Sequence, residues 1–172
     1  YYLAQLGKKA GFNIWIGLRE QGELYNGKAL RDLCDDIRTF RFVPQESSTI
    51  DRIKMIDVLW LEDGRIKYEF EVENTTGISE AIIRGSHIPE ELKVKRFVVI
   101  PKEREKKLNK KLQEPVLQQA VKKTNWKFIL YKDLENLFKT TKKKLNPTEI
   151  QRISKMPEDK PDSKQTTLSN KL

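Results

Sequence analysis

The sequence contains very few of the side chains that carry covalent catalysis or bind soft metals. Cys34 is the one cysteine and His87 the one histidine among 172 residues. This excludes a disulfide within the chain, a zinc site built from several cysteines and a histidine-rich metal site. Cys34 has helical spacing among apolar residues and is expected to pack in the core. His87 is expected at a helix end on the surface, so Cys–His or Ser–His catalysis is the weakest hypothesis for the function.

Long hydrophobic runs and nucleotide-binding loops are also absent. The longest apolar stretches have the length of strands, and no signal peptide is visible, so we expect an intracellular protein, in the cytoplasm or nucleoid, with no membrane contact. No internal repeat, Walker loop, GxGxxG or nucleophile elbow occurs. The first residue is Tyr1 and not methionine, which favours the C-terminal part of a longer protein, with an N-terminal domain or a partner protein.

Charge is unevenly distributed along the chain. The net charge is −4 over residues 1–91, +12 over 92–144 and +1 over 145–172. A basic block beside carboxylates is expected where a polyanion is held near a metal, although a lysine-rich solvated surface explains the charge alone equally well. We predict DNA as the partner. The predicted contacts to it are Arg84, Lys102, Arg104, Lys106, Lys107, Lys110 and Lys111.

The most informative stretch is residues 55–76. Two strands, at 55–61 and 66–73, are predicted to form a hairpin that turns at Asp63-Gly64, a dipeptide that readily takes positive φ. Alternation on the second strand predicts an apolar face (Ile66, Tyr68, Phe70 and Val72) and a charged face (Lys67, Glu69, Glu71 and Glu73). The hairpin therefore presents a row of carboxylates.

Asp57 lies in the apolar first strand, where an aspartate needs a partner. A two-residue turn would set it opposite Phe70, whereas a three-residue loop with a bulge at Gly64 would set it opposite Glu71. We expect the three-residue loop, which would bring Asp57, Glu71 and Glu73 together as oxygen ligands for Mg²⁺ or Mn²⁺. The alternative is an exposed edge hairpin whose polar face simply carries charge.

The segments Ile56-Asp57-Val58-Leu59-Trp60 and Phe70-Glu71-Val72-Glu73-Asn74-Thr75-Thr76 resemble the core of the PD-(D/E)XK nuclease superfamily. The resemblance extends over about residues 11–138. It implies that Asp57 and Glu71 hold Mg²⁺. Glu73 stands where lysine is usual, as in some restriction enzymes of the superfamily, and would be a further ligand or would position the attacking water.

The same resemblance implies supporting residues on neighbouring helices. A preceding helix supplies an extra acidic ligand in this superfamily, for which Glu46 is a candidate; the alternative is an ordinary exposed side chain. The helix after the second strand often directs polar residues at the site, and Ser79, Arg84 and His87 are available. Arg84 would balance the acids or contact a phosphate, unless it is a surface arginine without such a role.

The remaining pattern predicts an α/β fold with a central mixed sheet of four to five strands flanked by helices. Further strands are predicted at 12–18, 96–101 and 126–131, and helices at 1–10, 29–37, 78–86, 102–113, 115–123, 133–142 and 146–154. Residues 1–144 would form the nuclease-like domain. Residues 145–172 would form a short helix and a disordered tail, whose last eight residues faintly resemble a sliding-clamp-binding peptide.

The leading prediction is a metal-dependent DNA endonuclease domain of the restriction or the repair and recombination type. The alternative is a catalytically inactive nuclease-fold domain that binds nucleic acid or another protein. The oligomeric state, including a homodimer, is left open.

Overall fold

The computed structural model describes residues 1–37, 40–73 and 77–157. The last three residues of the motif segment, 74–76, most of the predicted tail and the clamp-binding resemblance lie outside these residues. The described helices are α1 (Tyr2–Lys9), α2 (Ser47–Ile53), α3 (Ile78–Gly85), α4 (Glu105–Leu112), α5 (Pro115–Thr124), α6 (Tyr131–Thr140) and α7 (Thr148–Arg152). The described strands are β1 (Asn13–Ile16), β2 (Leu24–Tyr25), β3 (Lys28–Ala29), β4 (Val58–Glu62), β5 (Arg65–Val72), β6 (Lys95–Ile100) and β7 (Lys127–Leu130).

Five of these strands form a mixed sheet with the order β1-β4-β5-β6-β7. β1, β4 and β5 pair antiparallel, whereas β5, β6 and β7 run parallel. The parallel strands are buried and rich in Val, Ile and Phe, as expected for strands covered by helices on both faces. The predicted α/β fold with a central mixed sheet is confirmed, and it is compatible with a restriction-endonuclease-like fold.

Helices cover both faces of the sheet. On one face α1, α6 and α7 pack over an aromatic layer that includes Trp60, Tyr68, Phe70 and Phe97. On the other face α3, α4 and α5 pack over the ends of β6 and β7, and α2 packs beside β4. The short helix α7 belongs to the first core, since Ile150 is fully buried there. The domain boundary at residue 144 stays a prediction.

The predicted helix at 29–37 was wrong. These residues contain a 3-10 turn at Leu30–Leu33 and no α-helix, although Cys34 does pack against the core as expected. The predicted helices at 102–113 and 115–123 are present. In α4 both Leu108 and Leu112 are buried, and in α5 Leu117 and Val121 are buried while Val116 is 80% exposed.

The β4–β5 hairpin turns through two residues and not three. Asp63 and Gly64 both have positive φ, which gives the tight turn typical of a twisted hairpin. The register then shifts by one between Trp60 and Leu61, because Lys67 is an extra, unpaired residue on β5. This bulge makes Val58 the partner of Phe70, the last pair of the ladder, and continuing the same register by one residue sets Asp57 opposite Glu71. The predicted alignment was correct, but its predicted cause was wrong.

The bulge also changes which residues share a face. Ile66 packs with Leu59 and Leu61, on the face that carries Glu69 and Glu71, whereas Tyr68 and Phe70 lie on the opposite face. The prediction that Ile66 shares a face with Tyr68 was therefore wrong. Lys67 instead forms an ion pair with Glu62 at 2.9 Å.

Candidate active site

The candidate site lies at the edge of the sheet where β5, β6 and β7 end. Asp57 immediately precedes β4, and because β4 runs antiparallel to β5, it lies beside the end of β5. Glu71 is the penultimate residue of β5, and Glu73 follows the strand, with its N–H donating to the carbonyl of Val99 at 2.9 Å. In α/β sheets this carboxyl edge is the usual place for a ligand.

Asp57 is held by the backbone of the neighbouring strand. Its Oδ2 accepts a hydrogen bond of 2.6 Å from the N–H of Val72. Burial raises the pKa of Asp57 to about 6, and the charges of Glu20 and Glu73 act in the same direction, while the Val72 N–H and Arg84 oppose the rise. A nearby cation would favour the ionised form of this carboxylate.

Glu71 is paired with Arg84 of α3. The Nε of Arg84 donates to Oε1 at 3.0 Å and its Nη2 donates to Oε2 at 2.6 Å, a two-point pairing of guanidinium and carboxylate. Glu71 is only 1% exposed, and this burial raises its pKa, against the effect of the Arg84 guanidinium. The structure therefore confirms that Arg84 balances one of the acids.

A second buried ion pair lies behind the first on the same face. Arg96 donates through Nε to Glu69 Oε2 at 3.0 Å and through Nη2 to the carbonyl of Ile88 at 2.9 Å. The other oxygen of Glu69 is buried without a hydrogen-bond partner, and burial raises the pKa of this residue to about 7. A Cβ on Gly85 would overlap Glu69 and Trp126, so glycine is needed where α3 approaches the acids.

Two functional candidates near Asp57 were missed in the sequence. Glu20 starts a 3-10 turn at Glu20–Gly22, and its Oε2 is buried without a hydrogen-bond partner. Tyr131 is the first residue of α6, and burial together with the charges of Glu73 and Asp57 raises its pKa to about 12. Glu46, the predicted extra ligand, is exposed before α2, and it is not among the charges that shift the pKa of Asp57.

The sequence contains a signal for Glu20, but it can be interpreted only when the pairing of β1 with β4 is known. Gly17 directly follows β1, which pairs with β4, and its N–H donates to the carbonyl of Asp57 at 2.9 Å. A Cβ on Gly17 would overlap the Glu20 carboxylate. A glycine at a strand end followed three residues later by glutamate therefore marks the place where that side chain folds back toward Asp57.

The predicted convergence of Asp57, Glu71 and Glu73 is only partial. Among the described residues, no group of three Asp, Glu, His or Cys side chains is close enough to enclose an ion. Both oxygens of Glu71 are used by Arg84, and the Glu73 carboxylate lies against Gly77 at the start of α3. Asp57 and Glu20 are thus the carboxylates with the fewest protein partners at this edge.

Apart from Arg84, which pairs with Glu71, the predicted DNA-contacting residues divide into two groups. Lys102 and Arg104 follow β6 at the same edge as the carboxylates, in a 3-10 turn at Lys102–Arg104, where Lys102 pairs with Glu105. On α4, Leu108 and Leu112 face the core, so the lysines of this helix point outward. Lys106, Lys107 and Lys110 are exposed, and Lys111 pairs with Glu114 at 2.9 Å.

Residues 1–159 match the family described as the C-terminal domain of the type II restriction enzyme NmeDI. The chain belongs to this family. The match supports the expected restriction-endonuclease-like relationship and covers the whole sheet and every residue of the candidate site. No curated protein and no solved structure shows a significant match. Among the described residues, no helix has the length and apolar character needed to cross a membrane.

Proposed function

We propose that this chain is a restriction-type, metal-dependent endonuclease domain that hydrolyses phosphodiester bonds in DNA. Membership of a type II restriction enzyme family supports the class of activity. The observation that carries the metal site is the placement of Asp57 beside Glu20, two carboxylates at the carboxyl edge of the sheet, one with an orphaned buried oxygen. Intracellular location and the PD-(D/E)XK assignment stay predictions.

The residues present fit Mg²⁺ or Mn²⁺. Mg²⁺ is commonly held by one or two carboxylates together with water and substrate phosphate, so three converging acids are not required. Asp57 and Glu20 would hold the ion, with Glu71 and Glu73 beside them, and carboxylate oxygens are the donors that these ions prefer. When bound, the ion lowers the pKa of a water molecule and stabilises charge on the phosphate.

The protein's own residues prepare this edge for a polyanion. Arg84 neutralises Glu71, which limits repulsion between the carboxylates and the DNA phosphates. Tyr131 is protonated at neutral pH, as an ordinary tyrosine is, and burial moves its pKa further from neutral, so it presents an uncharged hydroxyl near Glu73 and Asp57. Lys102, Arg104 and the outward lysines of α4 would hold the DNA backbone. The family description as a C-terminal domain supports an additional N-terminal domain as partner.

The test is cleavage of labelled linear, branched and single-stranded DNA in Mg²⁺ or Mn²⁺. We expect metal-dependent cleavage that is lost in Asp57→Asn and strongly reduced in Glu20→Gln. Glu46→Gln is the matched control, because it removes the same charge at an exposed position. Retained cleavage in Asp57→Asn would contradict the assignment of the site.

A second candidate function is a nuclease-fold module that binds DNA without cleaving it. The observation that favours it is that Arg84 uses both oxygens of Glu71, while Glu73 occupies the position of the usual lysine. In that case Mn²⁺ would not raise the melting temperature, whereas a true site is stabilised by its ligand. Salt-sensitive DNA binding with no cleavage and no metal-dependent stabilisation would establish this alternative.

A further inference from the structure

A second charged region lies at the opposite edge of the sheet, where β6 and β7 begin. A cavity of about 360 Å³ opens there. Four lysines line it from four different segments: Lys93 before β6, Lys95 on β6, Lys123 near the end of α5 and Lys127 on β7. The folded sheet, and not a single run of basic sequence, therefore brings these ammonium groups around one concave space.

The cavity has little negative charge of its own. Glu90 is the one carboxylate among its described lining residues, and it pairs with Lys123 at 2.6 Å. Lys95 donates to the hydroxyl of Tyr68 at 3.2 Å, which leaves its positive charge uncompensated. Lys93 and Lys127, in the part of the chain that the structure describes, have no carboxylate partner.

The buried Arg96 forms part of the wall but does not need an external anion. Its charge is balanced by Glu69 at 3.0 Å, so the excess charge of the cavity comes from the lysines. Like charges around one concave space repel, and the field of a concave surface concentrates anions within it. Lysines spread over a convex surface would be separated by water and would have neither effect.

We propose that this cavity binds a phosphate group. Several ammonium donors around one space suit a multiply charged oxyanion, and lysine is a common phosphate-binding residue. The phosphate has two chemically equivalent sources, the backbone of a nucleic acid or a free nucleotide. The length of β6 separates the cavity from the candidate active site by about 17 Å, at about 3.3 Å per residue. That distance is about five base pairs of duplex DNA.

The experiment uses the 172-residue chain with two probes, tripolyphosphate and a DNA duplex, both without divalent metal. The variant is Lys93→Gln with Lys127→Gln, and the matched control is Lys8→Gln with Lys28→Gln, two exposed lysines outside the cavity. Tripolyphosphate binding is followed by the rise in melting temperature and by calorimetry. Lys93→Gln alone serves as the test variant if the double variant does not fold, because Lys93 is exposed.

We expect tripolyphosphate to bind the unmodified chain and the control equally, and the cavity variant about tenfold more weakly. If the phosphate belongs to DNA, the cavity variant also loses duplex affinity beyond the control, and tripolyphosphate competes with the duplex. If it belongs to a free nucleotide, duplex binding by the cavity variant is unchanged while its tripolyphosphate binding is weakened. Equal tripolyphosphate binding by both variants, or none by the unmodified chain, overturns the proposal. None of these results depends on cleavage. They therefore test the phosphate site independently of the proposed endonuclease activity.

Discussion

The two edges of the central sheet carry opposite charge, and their charged side chains differ in burial. At the carboxyl edge Glu71 is 1% exposed and pairs with Arg84, and behind it Glu69 is 0% exposed and pairs with Arg96. At the amino edge the lysines around the cavity lie nearer the surface, and Glu90 is the one carboxylate among the described residues that line it. Burial raises the pKa of the acids, whereas Lys93, Lys95 and Lys123 are exposed. The carboxyl edge is thus the part of the molecule whose charge depends on pH and on bound cations.

The largest expected effect comes from breaking the buried pair behind the acidic edge. Arg96→Met would leave Glu69 buried without a countercharge, and such losses typically cost about 3–5 kcal/mol of the free energy of unfolding. The double variant Arg96→Met with Glu69→Met should recover most of this loss. Urea unfolding of the unmodified chain, the single variant and the double variant measures the loss and its recovery. Equal stability of the single and double variants would contradict the prediction.

The pH dependence of stability is the next largest effect. Asp57 and Glu69 have pKa values raised by burial to about 6 and about 7, above their ordinary values of 3.8 and 4.5. At a pH between the ordinary and the raised pKa of each acid, the folded protein retains a proton that the unfolded chain has released. The free energy of unfolding therefore falls as the pH rises. We expect a loss of about 2 kcal/mol between pH 5 and 7.5, less than the full shifts imply, because Asp57 is partly accessible to water.

Urea unfolding without metal at several pH values checks this slope. Glu69→Gln should flatten it, whereas Lys93→Gln, at the basic edge, should leave it unchanged. A free energy of unfolding that is constant or rises over this range would show that the buried acids are already ionised in the folded protein.

A smaller effect is expected when the charge of Asp57 alone is removed. Asp57→Asn keeps an oxygen that can accept the hydrogen bond from Val72, and at pH 8 it avoids burying a charge. We expect the metal-free protein to gain about 1 kcal/mol in the free energy of unfolding, while any stabilisation by Mn²⁺ disappears. Thermal unfolding with and without Mn²⁺ measures both, and Glu46→Gln should change neither.

The smallest effect concerns the exposed lysines of α4. Lys106→Gln and Lys110→Gln should each change the free energy of unfolding by no more than about 0.5 kcal/mol. Each should reduce the dependence of DNA affinity on salt by about one counterion. Titration of a labelled duplex at several salt concentrations tests this, and an unchanged salt dependence would place the DNA away from α4.

Much of the fold was predictable because its signals are local. Turn residues such as Asp63-Gly64, buried strand runs such as 96–101 and the helical spacing of α6 depend only on neighbours in the sequence. The failed helix at 29–37 shows the limit, since Leu30, Leu33 and Cys34 do pack against the core, but from a 3-10 turn followed by extended chain. Apolar spacing identified the residues that contact the core there and not their backbone conformation.

The candidate site was less predictable because it is assembled from distant segments. Asp57, Glu71 and Arg84 were identified because they lie within one hairpin and the helix that follows it. Glu20 and Tyr131 approach Asp57 only after β1 has paired with β4 and α6 has packed on the sheet. The arginine partner of Glu69 is likewise set by the parallel pairing of β5 with β6, which no local pattern specifies.

The bulge at Lys67 also has a consequence for insertions and deletions. The hairpin contains one residue more than its hydrogen-bonded ladder uses, and that residue lies between the turn and the acids. Deleting Lys67 would leave a regular hairpin in which Asp57 still aligns with Glu71. Deleting a residue between Tyr68 and Glu71 would instead turn that glutamate to the opposite face. Position 67 is therefore where related sequences can differ in length without losing the alignment of the two acids.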